Sequence, residues 1–157
     1  MKQKLPEIDK LDHPFFYAES RTPADFFPDE HAYYSGAGTN EPWLEGEEAV
    51  KRLTGRWQSV KAGLDLLFKE RRNKETKLLM IEGIALFIKL VFWTNEQPVR
   101  LKNIFVELEQ FPATPVNVRD RLEFIMARPA LYHAYIQLSE LMVEQEKIFY
   151  IQTAIKK

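Results

Sequence analysis

Three histidines, His13, His31 and His133, are the side chains best suited to metal or proton chemistry. A di-iron helical bundle needs Glu-x-x-His on two of its helices. The residues three before each histidine are Lys10, Pro28 and Ala130, so that chemistry is not encoded. His-Glu-x-x-His, the zinc-protease helix signature, is also absent. His31 beside Asp29 and Glu30 is the one local grouping of ligand types. Ligands must converge on a single point, and three polar neighbours in a turn read more simply as a solvated turn. His133 reads as a partly buried surface residue. Cysteine is absent, which removes disulfides, a thiolate nucleophile and any cysteine metal site; it suits a reducing compartment.

Other catalytic patterns fare no better. Gly36-Ala37-Gly38 is the nearest approach to a phosphate loop, but Glu41 stands where the third glycine belongs and no Gly-Lys-Ser/Thr follows. No Gly-x-Ser-x-Gly elbow occurs, and none of the four serines has a histidine beside it in sequence. The acid pairs Glu107/Glu109, Asp120/Glu123 and Glu140/Glu144 need burial before either member can act as an acid or base. All three pairs read as solvated helix faces. Glu82 is the one acid within a strongly apolar run, and pairing with a basic neighbour or exposure is its expected state. The expectation is a non-enzymatic protein with no cofactor and no metal. An enzyme whose site is assembled only in space ranks last.

Basic residues carry more signal. Lys69, Arg71, Arg72, Lys74 and Lys77 gather at one turn, where a phosphate backbone would find complementary charge. No recognition helix, zinc finger or aromatic RNA-binding signature accompanies them. The net charge of −1 conceals an asymmetry. Residues 1–50 hold four basic and eleven acidic side chains, net −7, and the remainder is +6.

The positioning elements follow from periodicity. Leu53, Trp57, Val60, Leu64, Leu67 and Phe68 predict a helix from about Glu47 to Arg72, with Gly55 and Gly63 as costs. A second helix, about Glu75 to Thr94, is apolar nearly all round and should be the buried centre. Its narrow polar strip is Glu75, Glu82 and Lys89. Shorter helices are expected near Arg100–Gln110 and from Pro115, capped by Thr114, to Arg128. A last helix should run from Pro129 to about Ala154. The fold class is therefore all-α, an irregular bundle of about five helices in a single domain over 43–157.

Residues 1–42 differ. Five of nine prolines lie there, which predicts an extended arm with short helical turns such as Pro23–Phe27. The arm is rich in aromatics, and aromatics seek burial. It is expected to pack along the body, with Phe15, Phe16, Phe26, Phe27 and Trp43 as candidate partner-binding or groove-filling residues. Whether the arm is permanently packed or displaceable decides if it covers a partner site. No stretch of signal-peptide length follows Met1, and Leu78–Trp93, 16 residues with two charges, is too short and too charged for a membrane span. A cytoplasmic protein with no membrane association is expected.

His13-Pro14-Phe15-Phe16-Tyr17, then Pro42-Trp43, then helices bearing Trp57 and the apolar run 78–93, resemble the YpoC-like family of Bacillus-type bacterial proteins. The resemblance covers most of the chain. It implies a helical cytoplasmic protein and, through genes that neighbour replication-initiation and DNA-repair genes, a chromosome-related role. It transfers no site residue. The function expected is a protein–protein interaction module using the arm or an adjacent groove. The alternative is an accessory nucleic-acid binder using the basic turn at 69–77.

Overall fold

A computed structural model describes residues 9–38 and 40–156. The reading of the first few residues as lacking a secretion signal falls outside them. Among the described residues the chain is all-α, with seven α-helices: α1 (Pro23–Phe26), α2 (Pro28–Ser35), α3 (Glu47–Glu70), α4 (Asn73–Thr94), α5 (Ile104–Gln110), α6 (Val118–Ala127) and α7 (Tyr132–Lys156). Short 3-10 turns occupy Asp9–Leu11, Pro14–Phe16 and Pro42–Leu44. The five helices expected in the body are present as α3 to α7. The arm adds two more, so it is not extended.

The arm's helicity has a local cause. Pro14, Pro23, Pro28 and Pro42 each sit in the first turn of a helical segment. There the missing N–H costs nothing and the fixed φ favours the helix. Prolines that read as breakers are thus starters. Asp25 accepts the Thr22 amide at 2.7 Å and caps α1. Gly36 ends α2 with φ 81°, the left-handed conformation that glycine adopts without strain.

Helix α4 is the centre. Met80, Ile81, Ile84 and the run from Ala85 to Trp93, Lys89 excepted, are buried. Helices α3 and α7 both pack along it, α6 packs on α7, and α5 on α6. The three helices meet closely at Gly83. A Cβ there would stand 2.9 Å from the Trp57 ring and 3.1 Å from Leu138 Cδ2. The α3–α4 turn falls at Arg71-Arg72, as expected, but with Arg71 in the left-handed conformation at φ 58°.

Three helix starts differ from the periodic reading. Helix α7 begins at Tyr132, not Pro129, which lies in a turn closed by the Leu131 amide on the Arg128 carbonyl. Helix α5 begins at Ile104, not Arg100, because the preceding backbone is engaged by the arm: the Leu101 amide donates to Lys10 O, and the Val99 amide to a Glu30 side-chain oxygen. Helix α6 begins at Val118 after Asn117, not at Pro115. Thr114 instead donates to the Phe111 carbonyl.

Gly83→Ala should destabilise the fold by about 1–3 kcal/mol, the range for overpacking a tight core. Gly55 has open space where its Cβ would be, so Gly55→Ala should stabilise by up to about 1 kcal/mol. Urea unfolding monitored by circular dichroism distinguishes the two.

Candidate functional site

Helix α2 presents Phe27, Glu30 and Tyr34 to the interior, spaced by three and four. All three are buried, Glu30 completely. Its Oε2 accepts the Trp93 indole N–H at 2.7 Å and the Val99 amide at 3.2 Å. Tyr34 donates to the Val99 carbonyl at 3.0 Å. One side chain each from Glu30 and Tyr34 therefore satisfies both backbone groups of Val99. Glu30 Oε1 has no partner among the described residues. Burial pushes the Glu30 carboxyl up, against the opposing pull of its bonds to Trp93 and Val99 and of the Lys89 charge.

The aromatics complete this joint. Phe16 meets Phe27 edge-on at 5.1 Å between ring centres and Phe26 at 5.5 Å. Tyr33 stands edge-on to Trp43 at 5.1 Å, and Trp43 lies against Trp93. Of the five aromatic candidates, Phe16, Phe26, Phe27 and Trp43 lie in the core. Phe15 is packed at its edge.

Phe15 also lines a cleft of about 510 Å³ between the arm, α4 and the end of α6. Its apolar surface comes from Phe15, Leu78, Ile81 and Met126, with Lys74 and Lys77 beside them. The cleft thus joins one aromatic candidate to two of the basic ones. A tight turn in the arm shapes its edge. Ala18 and Arg21 exchange backbone hydrogen bonds, and Glu19 between them has φ 56°. Glu19 reaches Lys74 at 3.5 Å. Leu78, Ile81 and Met126 are legible in the sequence only as helix-face residues, because their meeting at one cleft, with Leu78 and Met126 half-buried and Ile81 at its floor, depends on where the arm stops.

The basic turn is less uniformly positive than its sequence. Arg72 is held by Glu75 at 3.0 Å and Glu70 at 3.4 Å, and Lys74 by Glu19. Lys69, Arg71 and Lys77 form no ion pair with a described residue. Glu82 pairs with Arg56 at 2.6 Å, the state expected of it.

Of the histidines His13 has a structural use, His31 is half-buried on α2, and His133, expected to be partly buried, is exposed on the first turn of α7. His13 Nδ1 accepts the Phe15 amide at 3.1 Å, capping the turn that carries Phe15 and Phe16. Burial lowers its pKa, outweighing the attraction of Asp12, which favours the neutral acceptor form. Glu30 turns inward, away from the grouping with His31 and Asp29 that its sequence position suggested. Among the described residues no three potential ligands converge on a metal-sized site.

The sequence model of one protein family, described as YpoC-like protein, matches residues 47–157. The chain belongs to the YpoC-like family. An uncharacterised protein YpoC of Bacillus subtilis (strain 168) is 34% identical over 118 residues, covering 74% of this chain and 71% of that relative. No solved structure matches. The family match opens at the first residue of α3, so it covers the five-helix body of the YpoC-like fold and not the Glu30 joint's arm side. Among the described residues no helix is long and apolar enough to cross a membrane.

In this YpoC-like protein, Glu30→Ala strands two buried donors and should cost about 2–4 kcal/mol, whereas Glu30→Gln keeps an acceptor oxygen and should fall within about 1 kcal/mol of the parent. The raised carboxyl pKa sets a sign. Above pH 4.5 the unfolded chain has released a proton that the folded chain still holds. Stability from Glu30 therefore falls as pH rises from 4.5 through the folded value, and levels off above it. Urea titrations across that window should show the Gln variant gaining on the parent as pH rises. A constant difference contradicts the assignment.

Proposed function

We propose that the protein is a cytoplasmic, non-enzymatic interaction module that seats a segment of a partner protein in the cleft between the arm and α4. The observation that carries this reading is the meeting of Phe15, Leu78, Ile81 and Met126 with Lys74 and Lys77 in one open cleft. Its volume lies within the roughly 300–1,000 Å³ range of binding clefts, and an apolar floor with a few charges at the side is their usual composition. A segment with one large apolar side chain and a nearby acid meets both. On this reading the arm is a wall of the site, held by Glu30, not a removable cover.

Accessory nucleic-acid binding is the second reading. It draws on the exposed cations Lys69, Arg71 and Lys77 at the same end of the molecule. Against it stand Glu70, Glu75 and Glu19, which neutralise Arg72 and Lys74 and would face a phosphate backbone.

A photo-crosslinking residue at Leu78 in the full-length chain, expressed in its native cells, should capture a protein that the same residue at exposed Leu66 does not. That complex, reconstituted, should weaken about tenfold with Lys77→Glu. Equal capture at both positions sinks the cleft. Binding to duplex DNA or RNA that falls steeply with salt and is lost in Arg71→Glu/Lys69→Glu would favour the second reading.

A further inference from the structure

A smaller cleft of about 190 Å³ opens where the arm crosses α3 and α4. Its charged walls are Arg21 and Asp25 of the arm, Arg56 of α3, and Glu82 and Lys89 of α4. The acids are already engaged. Asp25 caps α1 through the Thr22 amide. Glu82 receives Arg56 at 2.6 Å and has Arg21 at 3.8 Å.

Lys89 is the cation left over. It is partly buried, yet its ammonium forms no hydrogen bond and no ion pair with a described residue. Its ammonium lies over the Phe27 ring, 5.6 Å from the centre, a cation–π contact. Burial lowers its pKa, against the attraction of Glu30, Asp29 and Glu82. An ammonium has three donors and no acceptor, and leaving them unmet away from bulk water is costly. Beside it Arg56 spends Nε and Nη2 on Glu82, and Arg21, stacked on Phe26, holds Glu82 only loosely at 3.8 Å, so the remaining guanidinium N–H groups are the donors an oxyanion could take.

We propose that this cleft binds a phosphate group, held between Lys89 and the guanidinium groups of Arg21 and Arg56. A tetrahedral oxyanion can present separate oxygens to donors arriving from three elements, which a planar carboxylate cannot do as fully. The cleft lies below the roughly 300–1,000 Å³ of sites for drug-sized ligands, so it takes the phosphate and not a whole nucleotide. Because Arg21 belongs to the arm while Arg56 and Lys89 belong to the body, the bound group ties the 18–21 turn to α3 and α4.

The test is NMR titration of the full-length protein with sodium phosphate at constant ionic strength, sodium chloride serving as the control. A parallel arm uses glycerol 3-phosphate, which separates free phosphate from a phosphomonoester as the source. Saturable shifts of the Arg21, Arg56 and Lys89 side-chain signals with either probe support the site. Lys89→Met, which keeps the apolar stem, and Arg21→Gln should each weaken binding about tenfold. No saturable shift with either probe overturns the proposal, as do shifts centred on Lys69 and Arg71 or binding undiminished in both variants. Should one variant fail to fold, the other decides.

Discussion

The join between the arm and the body centres on one buried acid. Glu30 lies at the inner face of α2 and accepts from the Trp93 indole and the Val99 amide. Removing a charge-bearing group from water is expensive, and such a group persists only where donors meet it. Here the donors come from the end of α4 and from the loop after it. Glu30 therefore fixes which face of α2 points inward and, with the Leu101 amide on Lys10 O, holds the backbone after α4 against the arm. Its unpartnered second oxygen and its raised pKa belong to the same bargain: the site tolerates a proton more readily than open water does.

Around that joint the arm behaves as core. Phe16, Phe26, Phe27, Tyr34 and Trp43 are buried against α4. Burying a large apolar side chain contributes about 1.5–3 kcal/mol, so five together rival the whole stability of a typical domain before ordering entropy is subtracted. The hydrogen bonds from Leu101 to Lys10 and from Tyr34 to Val99 set the register of this packing. The edge of the arm then leaves two openings. The larger is floored by partly and fully buried apolar side chains beside Lys74 and Lys77, and the smaller gathers Arg21, Arg56 and Lys89 with Asp25 and Glu82. Both lie along the arm–body seam, where side chains from separate stretches of chain meet without filling space.

The charge asymmetry between the two halves of the chain has a structural counterpart in this seam. Acidic Glu19 of the arm meets basic Lys74 of α4 across it, and Arg21 of the arm reaches Glu82, which Arg56 also holds from within the body. These are partly exposed pairs, worth little each. Glu19 on Lys74, together with Glu70 and Glu75 on Arg72, cancels part of the basic turn and leaves Lys69, Arg71 and Lys77 without an ion pair among the described residues.

Periodicity alone determined the all-α class, the five body helices and the buried centre at α4, because an apolar stripe repeating every three to four residues has one stable geometry. The turn at Arg71-Arg72 and the pairing of Glu82 were legible for the same local reasons. The arm's helices were not, since a proline reads as a breaker until its place in the first turn is known. The inward aim of Glu30 was half-visible in its spacing from Phe27 and Tyr34, but an acid within Asp29-Glu30-His31 looks solvated. The late start of α5, the joining of Phe15 with Lys74 and Lys77, and the cluster of Arg21, Arg56 and Lys89 were decided by tertiary structure. Each depends on contacts between residues tens of positions apart, and only the docking of the arm on α4 creates them.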